Sequence, residues 1–492
     1  MKVLFIQPSS GFLMRGTTYP VCRSMMVTAS YFKSLGYDVL VFDRCVDFRK
    51  AEKVINDYMP DFVMTYVTPT ASIKDAIELT KISKKCGAYV AWGEVVASAI
   101  AEEIVKNGYA DFVITGETEN KLLSLVNETN GNKNYAQIPG LTFSLDGNVI
   151  TTKNENNTDL INLPQIDWEL IDVKKCFRSF PHCKRMLYMY TSRGCPFKCA
   201  YCYNTMFYNS QHRKRPLNFV LDEILYLEKN YKLDGVNFSD ELLLLSDEDI
   251  DEISEFRKNN NLKFFWGGET RADIYDLNTL KKMYDAGCRW LLLGIETGSE
   301  QTRKQINKLM DQSRIKSFVE NCTQAGITTF GSFIIGFPDE TPEQLKETAQ
   351  YALDLSLDAF LFNYYIAIPK TPLCDKLIAE GKFTTEEVVN QASASSQIQC
   401  LTDNYSAIPD KELLVVKSYF DWLTFTRKKK ESVQKTMFVK KAFDVLKHSA
   451  DGGFKHVLNN LFDAAKTFLT VLYYSHAYPG IIKKYGLYNV NK

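Results

Sequence analysis

Apolar residues in the first part of the chain fall into five short runs, at residues 3–8, 38–43, 61–67, 88–92 and 111–116. Stretches with the spacing of amphipathic helices separate these runs, at residues 22–35, 71–85, 98–107 and 118–126. This alternation predicts an α/β unit, a doubly wound, Rossmann-like parallel sheet covered on both faces. Such a sheet binds ligands beyond the carboxyl ends of its strands, at residues 7–11, 65–70, 92–98 and 116–119.

Six further strand-like runs follow, at residues 186–191, 235–239, 263–267, 290–295, 328–335 and 359–366. Each of the first five is followed by a helical pattern, so the second unit is predicted to be a partial (β/α)6 barrel. Barrel chemistry occurs at the carboxyl ends of the strands. Polar side chains cluster there, in "SRGC", "FSDE", "GGETR", "GIETGS" and "GFPDET". We therefore expect the functional site at this end of the barrel.

These patterns divide the chain into four parts. Residues 1–151 form the Rossmann-like unit, residues 152–185 a linker, residues 186–383 the barrel and residues 384–492 a helical C-terminal domain. The first unit ends in a predicted hairpin with Asp146 and Gly147 in its turn. The C-terminal part contains no recognisable motif. We interpret it as a cap or interface domain, and contact of residues 466–486 with a membrane surface is the alternative.

Composition argues against several classes of protein. The 59 basic and 59 acidic residues balance, so no global charge indicates binding to nucleic acid. No apolar run reaches the roughly 18–20 residues that span a membrane. The chain opens on a strand pattern, and no signal peptide is expected. The 12 cysteines are scattered through a long chain, which favours reduced thiols and a cytoplasmic protein.

Three cysteines, Cys195, Cys199 and Cys202, lie close together in the segment "SRGCPFKCAYCYN" after the first barrel strand. A structural zinc ion takes four ligands, and a fourth could come from His182, Cys183 or His212. A 4Fe–4S cluster normally takes four thiolates, so a cluster held by three leaves one iron open to another ligand. Cysteines without a metal are a third alternative.

At these residues the chain resembles a known family. "CPFKCAYC" resembles the signature of the radical S-adenosylmethionine (SAM) superfamily, and residues 1 to about 380 resemble its cobalamin-dependent subfamily. The resemblance implies a 4Fe–4S cluster on the three cysteines, with the methionine amine and carboxylate of SAM on the open iron. It also implies cleavage of SAM to a 5′-deoxyadenosyl radical, an external electron donor of flavodoxin or ferredoxin type, and a small-molecule or natural-product substrate.

The same resemblance assigns SAM contacts to the ends of successive barrel strands. Tyr201 is expected to face the adenine, Glu296 to bind the ribose hydroxyls, and the loop at residues 336–341, with Gly336, to lie near the adenine. The methionine amine is expected near Ser239, Asp240 and Glu241, because a carboxylate suits an ammonium. Glu269 and Arg271 end the third strand, and an arginine suits the carboxylate of SAM.

Cobalamin contacts are expected at the carboxyl edge of the first sheet, at Thr68, Gly93, Glu94, Gly116 and Glu117. The chain departs from the family pattern here. No histidine precedes His182, so this unit supplies no imidazole to cobalt. The fourth turn reads "WGEVVAS", with Trp92 in place of a glycine and Glu94 where the pattern expects small residues. The domain binds cobalamin if Trp92 points away from the cleft or forms a wall of it. The alternative is a domain that keeps the fold without the cofactor.

These observations favour a cobalamin-dependent enzyme that methylates an unactivated carbon. A radical rearrangement, cyclisation or ring contraction without methyl transfer is the alternative among enzymes. From a different class, the chain could be a regulatory protein that senses iron or redox state through a cluster or zinc site.

Overall fold

The computed structural model describes residues 1–9, 22–68, 72–155, 158–391, 403–426 and 469–487. The predicted ligand-binding segments 7–11 and 65–70 are therefore only partly within the described residues. Two seven-stranded sheets organise the described chain, and the α/β architecture predicted from the pattern of apolar residues is confirmed.

The first sheet has the strand order β2-β1-β3-β4-β5-β6-β7. Its strands are β1 Lys2–Gln7, β2 Asp38–Asp43, β3 Phe62–Tyr66, β4 Tyr89–Gly93, β5 Phe112–Ile114, β6 Leu141–Leu145 and β7 Asn148–Thr151. The first five strands are parallel, as the continuous apolar runs predict. The last two form the expected antiparallel hairpin, whose turn residues Asp146 and Gly147 have φ angles of 50° and 81°.

Helices cover both faces of this sheet. They are α1 Arg23–Ser34, α2 Ala51–Tyr58, α3 Ile73–Lys85, α4 Val95–Ala99, α5 Ala101–Lys106 and α6 Glu119–Asn130. Successive residues of a strand point to opposite faces. Along β1, Val3 and Phe5 accordingly pack in the core that contains α1 and α6, whereas Leu4 and Ile6 pack in the core that contains α2 and α3.

The second sheet is a curled half-barrel with the strand order β16-β15-β14-β13-β12-β9-β8. Its parallel strands are β9 Cys183–Met189, β12 Gly235–Phe238, β13 Phe265–Arg271, β14 Cys288–Glu296, β15 Thr328–Ile335 and β16 Ala359–Tyr364. The short strand β8 Arg178–Phe180 adds an antiparallel edge to β9. A separate pair, β10 Ser192–Arg193 and β11 Arg213–Lys214, brackets the cysteine segment.

Further helices of the described chain are α7 Val173–Cys176, α8 Asn204–Tyr208, α9 Leu217–Tyr231, α10 Asp247–Asn259, α11 Leu277–Asp285, α12 Glu300–Gln305, α13 Gln312–Ala325, α14 Pro342–Asp354, α15 Pro372–Ala379, α16 Thr385–Gln391, α17 Asp410–Thr426 and α18 Pro479–Lys484, and residues 469–476 are also helical. Local sequence fixes several of their starts. Capping boxes begin α10 at Ser246 and α14 at Thr341, and Pro342 occupies the first turn of α14.

The C-terminal helix α17 packs against the last barrel strand. The ring of Phe420 stacks on that of Phe362, with centroids 4.0 Å apart. The Thr424 hydroxyl accepts a hydrogen bond from the Phe360 amide at 2.8 Å and donates one to the Phe360 carbonyl at 3.0 Å. This helix therefore extends the barrel core. Within the described residues, no helix is long and apolar enough to cross a membrane.

A buried ion-pair network joins the first sheet to the barrel. Arg193 in β10 donates to Glu117 and to Glu119, each at 2.8 Å, and all three side chains are at most 7% exposed. Arg213 in β11 also binds Glu117 at 3.0 Å. Because Glu117 and Glu119 lie in the turn from β5 into α6, this turn is fixed to the strand that leads into the cysteine segment.

Loss of the Arg193 guanidinium should destabilise the protein strongly. Arg193→Met leaves two buried carboxylates short of a cation, a change that typically costs about 3–5 kcal/mol. Lys33→Met removes the exposed Lys33–Asp167 pair and is the control, because exposed pairs contribute little. Denaturant unfolding should show a much larger loss for Arg193→Met. Equal losses in the two variants would contradict this role of the network.

Candidate active site

A cavity of about 200 Å³ opens at the carboxyl ends of the barrel strands. It is lined by the three motif cysteines together with residues of the second to fifth parallel strands and neighbouring loops: Cys195, Phe197, Cys199, Tyr201, Cys202, Asn204, Glu241, Leu242, Glu269, Thr270, Arg271, Leu292, Gly294, Glu296, Lys308 and Ser332. This cavity lies at the end of the barrel where the placement of polar residues predicts a site.

Hydrogen bonds to Asn204 shape the cysteine loop. Its Oδ1 accepts from the Cys195 amide at 2.8 Å, and its Nδ2 donates to the carbonyls of Cys195 and Phe197 at 2.7 and 3.2 Å. Gly194 is also required, because its φ is 79° and a Cβ there would lie 2.0 Å from the carbonyl oxygen of Gln211. These contacts of Asn204 and Gly194 support the shape of the loop.

All three motif cysteines are free thiols that line the cavity. Burial raises the pKa of each, that of Cys202 to about 12. Bound metal deprotonates such thiols outright. In the described part of the chain, no group of three or more His, Cys, Asp or Glu side chains is arranged to hold a single metal ion. His182 stacks on Trp290 and Cys183 begins β9, at the opposite end of the strand from the motif cysteines.

The residues after β12 have distinct roles. Glu241 lines the cavity, accepts from the Gly194 amide at 2.9 Å and from the Tyr203 hydroxyl at 3.3 Å. Asp240 is not among the lining residues. Its carboxylate accepts from the amide and hydroxyl of Thr191 and from the hydroxyl of Ser192, so it ties the ends of β9 and β12 together. The Ser239 hydroxyl is buried, without a hydrogen-bond partner among the described residues.

Strand β13 places Glu269 and Arg271 in the cavity wall. Burial raises the pKa of Glu269 to about 7. The Arg271 guanidinium forms a bidentate pair with Asp273, at 2.9 and 2.7 Å, and lies 3.8 Å above the ring of Phe197. Arg271 is therefore oriented by its neighbours, with its charge already partly neutralised.

Glu296 belongs to a buried cluster with Lys308 and Tyr201. The Lys308 ammonium donates to Glu296 at 2.6 Å and to the Tyr201 hydroxyl at 3.4 Å. Glu296 sits at a register shift between β14 and β15, with a φ of 69°. Burial opposes the charge of Lys308, but Glu296 and Cys199 outweigh it and raise its pKa. A cation and an anion thus face the cavity beside the aromatic ring of the cysteine motif.

The loop at residues 336–341 is built around a buried carboxyl group. Glu340 Oε2 accepts from the amides of Gly336 and Phe337 at 2.6 and 3.2 Å, and Gly336 has a φ of 78°. The Phe337 ring contacts that of Tyr201, with centroids 5.7 Å apart. Burial raises the pKa of Glu340 to about 7. Glu340 therefore shapes the loop that carries this aromatic contact.

At the edge of the first sheet, Trp92 does not block the cleft. Its side chain is fully buried in the core that contains α2 and α3, and its indole N–H donates to the Thr80 hydroxyl of α3 at 3.0 Å. Since alternate strand residues face opposite ways, Trp92 shares its face with Val90. The bulky residue that departs from the family pattern is accommodated inside the domain.

The other predicted cobalamin contacts are at this edge. Thr68 follows β3 and is half-buried. A Cβ on Gly93 would lie 2.4 Å from the terminal methyl of Met64, so a larger residue there would displace the end of that side chain. Gly116 has a φ of 79°, and the Glu117 carboxylate is engaged in the network with Arg193. Glu94 is buried, and one of its oxygens has no hydrogen-bond partner within the described ranges.

Three side chains that the sequence patterns did not single out contribute to the site: Lys308, Asn204 and Arg23. Arg23 in α1 donates to the carbonyl oxygens of Met189 and Ser239, at the ends of two barrel strands. Only Asn204 carried a local signal, because it follows the cysteine motif directly. Lys308 and Arg23 reach the site through contacts between distant parts of the chain.

Comparison with known proteins agrees with this geometry. Residues 189–352 match the family model described as the radical SAM superfamily. The chain is 28% identical over 400 residues to an uncharacterized methyltransferase of Pyrococcus horikoshii. The aligned region covers 78% of this chain and 85% of the relative. It is 27% identical over 394 residues to an anaerobic magnesium-protoporphyrin IX monomethyl ester cyclase of Rubrivivax gelatinosus, covering 77% of this chain and 70% of the relative.

A solved structure shares the fold over most of the chain. The radical SAM methyltransferase TsrM of Kitasatospora setae, with cobalamin and a 4Fe–4S cluster bound, superposes with a TM-score of 0.64 at 17% identity. The match covers 77% of this chain and 75% of that one. Residues 189–352 therefore form a radical SAM domain, and the chain shares the fold of a methyltransferase that binds cobalamin. A radical SAM domain implies a 4Fe–4S cluster and SAM as cofactors.

Protonation of Glu340 should make stability depend on pH. The pKa of Glu340 in the folded protein, about 7, exceeds the ordinary value of 4.5. The protonated carboxyl group therefore contributes fully to stability below about pH 4.5, and this contribution is lost as the pH rises through about 7. Glu340→Gln should therefore gain stability relative to the wild type, on the order of 3 kcal/mol, between about pH 5 and about pH 8. Glu343→Gln, in the exposed first turn of α14, is the control. Parallel curves of unfolding free energy against pH for wild type and Glu340→Gln would refute this.

Removal of the Glu296 charge should weaken SAM binding. A carboxylate that accepts hydrogen bonds from hydroxyl groups contributes about 1.5–3 kcal/mol, so Glu296→Gln should raise the dissociation constant about tenfold or more. Equilibrium binding of SAM to reconstituted protein measures this, and Glu300→Gln on the exposed surface of α12 is the control. An unchanged dissociation constant would assign Glu296 to a structural role with Lys308.

Proposed function

We propose that this protein is a cobalamin-dependent radical SAM methyltransferase that acts on an unactivated carbon of a small molecule. The observation that carries the proposal is the pairing of two sites. A cysteine-lined cavity lies at the carboxyl ends of the barrel strands, and Arg193 connects it to the carboxyl edge of the first sheet. An enzyme that joins a radical site to a methyl carrier requires both edges to face one cleft.

The edge of the first sheet fits a large polar cofactor. The hydroxyl of Thr115 and one oxygen of Glu94 are buried, and neither has a hydrogen-bond partner in the described part of the chain. Each residue directly follows a strand, β5 or β4. Buried polar atoms are nearly always hydrogen-bonded in native structures. A ligand at this edge would supply the missing partners, and the Trp92 side chain packs in the core instead of at the edge.

The barrel cavity is suited to SAM. The cosubstrate carries an ammonium, a carboxylate and an adenosine, and the cavity wall presents Glu241 and Glu269 together with Arg271 and Lys308. Tyr201 and Phe337 offer aromatic surface near Glu296, where the adenosine is expected. Asp240 supports this wall without lining it, because its hydrogen bonds connect the ends of β9 and β12.

When bound, the reduced cluster supplies the electron that cleaves SAM to methionine and a 5′-deoxyadenosyl radical, and cobalamin supplies a carrier for the methyl group. The residues of the chain do the rest. Cys195, Cys199 and Cys202 would hold the cluster, and Asn204 keeps their loop in shape. Arg23 fixes α1 against the ends of β9 and β12, so that the two sites keep a constant separation. The electron would come from an external donor of flavodoxin or ferredoxin type.

A cyclisation or rearrangement without methyl transfer is the second candidate. Its support is the similarity to the cyclase of Rubrivivax gelatinosus over most of the chain. The two functions differ in a readout that needs no knowledge of the substrate, because only a methyltransferase moves the methyl group of SAM onto bound corrinoid.

Isotopic labelling can test the proposal. Anaerobically reconstituted protein should bind about four irons and one equivalent of hydroxocobalamin, detected by absorbance. With a low-potential reductant and SAM that carries a trideuterated methyl group, mass spectrometry should find the label on the corrinoid. Cobalamin binding without label would favour the second candidate, and the absence of cobalamin binding would refute the proposal.

The cysteine motif provides the matched controls. Cys195→Ala should lose iron and 5′-deoxyadenosine formation, because one of three cluster ligands is gone. Cys86→Ala, directly after α3 in the first unit and remote from the motif, should retain both. A protein with all three motif cysteines replaced that kept its iron and its cleavage of SAM would show that the cluster is bound elsewhere.

A further inference from the structure

Glu94 combines two features that a purely structural residue avoids. Its φ and ψ angles are 81° and −179°, a backbone conformation that is almost exclusive to glycine. Its side chain is also 7% exposed, with Oε1 lacking a hydrogen-bond partner among the described residues. Both features cost free energy, and residues of this kind persist mainly at functional sites.

The position of Glu94 indicates what it faces. It lies between β4 and α4, at the carboxyl edge of the first sheet. Ser24 hydrogen-bonds its carboxyl group, and the charges of Arg193 and Arg23 act on it. These residues belong to α1 and to the strand before the cysteine loop, so Glu94 is on the side of the edge that faces the barrel.

We propose that Glu94 is a specific contact of the cobalamin site, where its unpartnered carboxyl oxygen hydrogen-bonds an amide side chain of the corrin. This inference rests on the proposed function. Corrin amides both donate and accept hydrogen bonds. A carboxyl group can accept a hydrogen bond from an amide N–H or, when protonated, donate one to an amide oxygen. Burial raises the pKa of Glu94, which favours the protonated form.

This contact explains why glutamate occupies a position whose backbone favours glycine. A glycine at residue 94 would relieve the strain but would leave no side chain to bind the ligand. The structure thus predicts that binding and stability respond in opposite directions to the same substitution, which a residue with only a structural role would not show.

Three variants at this position separate the two effects. Glu94→Gly should raise the thermal midpoint of the apoprotein and weaken hydroxocobalamin binding about tenfold, the loss expected for one hydrogen bond. Glu94→Ala should weaken binding equally but gain less stability, because alanine keeps the strained Cβ. Glu94→Gln, which still donates and accepts, should bind nearly as the wild type does.

Lys133→Gly provides the matched control. Lys133 is an exposed residue of the same domain with a φ of 58°, so the variant also places a glycine at a positive φ without touching the edge of the sheet. It should leave cobalamin binding unchanged. Wild-type affinity of Glu94→Gly for hydroxocobalamin would overturn this inference but not the proposed function. A Glu94→Gly apoprotein no more stable than the Glu94→Ala apoprotein would do the same. A wild-type protein that binds no cobalamin would overturn both the inference and the proposed function.

Discussion

The buried pairing of Arg193 with Glu117 and Glu119 holds the first sheet against the barrel. Arg193 is two residues before the first motif cysteine, and the two glutamates form the turn after β5. Desolvating three charged side chains is costly unless all are paired, so the network tolerates little displacement. It therefore fixes the cysteine loop relative to the edge of the first sheet.

Other contacts extend the same connection. The ring of Tyr190, at the end of the first parallel barrel strand, has the guanidinium groups of Arg23, Arg193 and Arg215 within 5.1–5.8 Å of its centroid. Arg23 lies in α1, which packs on the first sheet, whereas Arg193 and Arg215 belong to the barrel unit. Because guanidinium groups are favourable over an aromatic face, Tyr190 is the point where charges from both sheets converge. The two candidate cofactor sites are thus built on a shared, rigid support.

Patterns of short period predicted most of the fold. Alternating strands and helices gave both sheets, and Asp146-Gly147 gave the hairpin, because these signals lie within a few neighbouring residues. The cysteines were predicted for the same reason, since their spacing is local. The direction of Trp92 also had a local signal, because period-two alternation places it on the face of Val90.

Contacts between distant residues were beyond the reach of such patterns. Lys308 enters the cavity after α12 through a turn with no motif, and Glu117 meets an arginine 76 positions away. The role of Asp240 was hidden for a related reason. Its position at a strand end suggested a ligand contact, but the hydroxyls of Thr191 and Ser192 occupy its carboxylate. Position along a strand predicts the neighbourhood of a side chain, whereas its partners depend on tertiary packing.

In the proposed enzyme, one cleft holds the cluster and cobalamin facing each other. Electron paramagnetic resonance can detect this arrangement in protein loaded with both, with the cluster reduced and cobalt in the paramagnetic Co(II) state. Each centre should broaden the signal of the other and speed its relaxation. Two signals that match those of protein loaded with one centre at a time would contradict it.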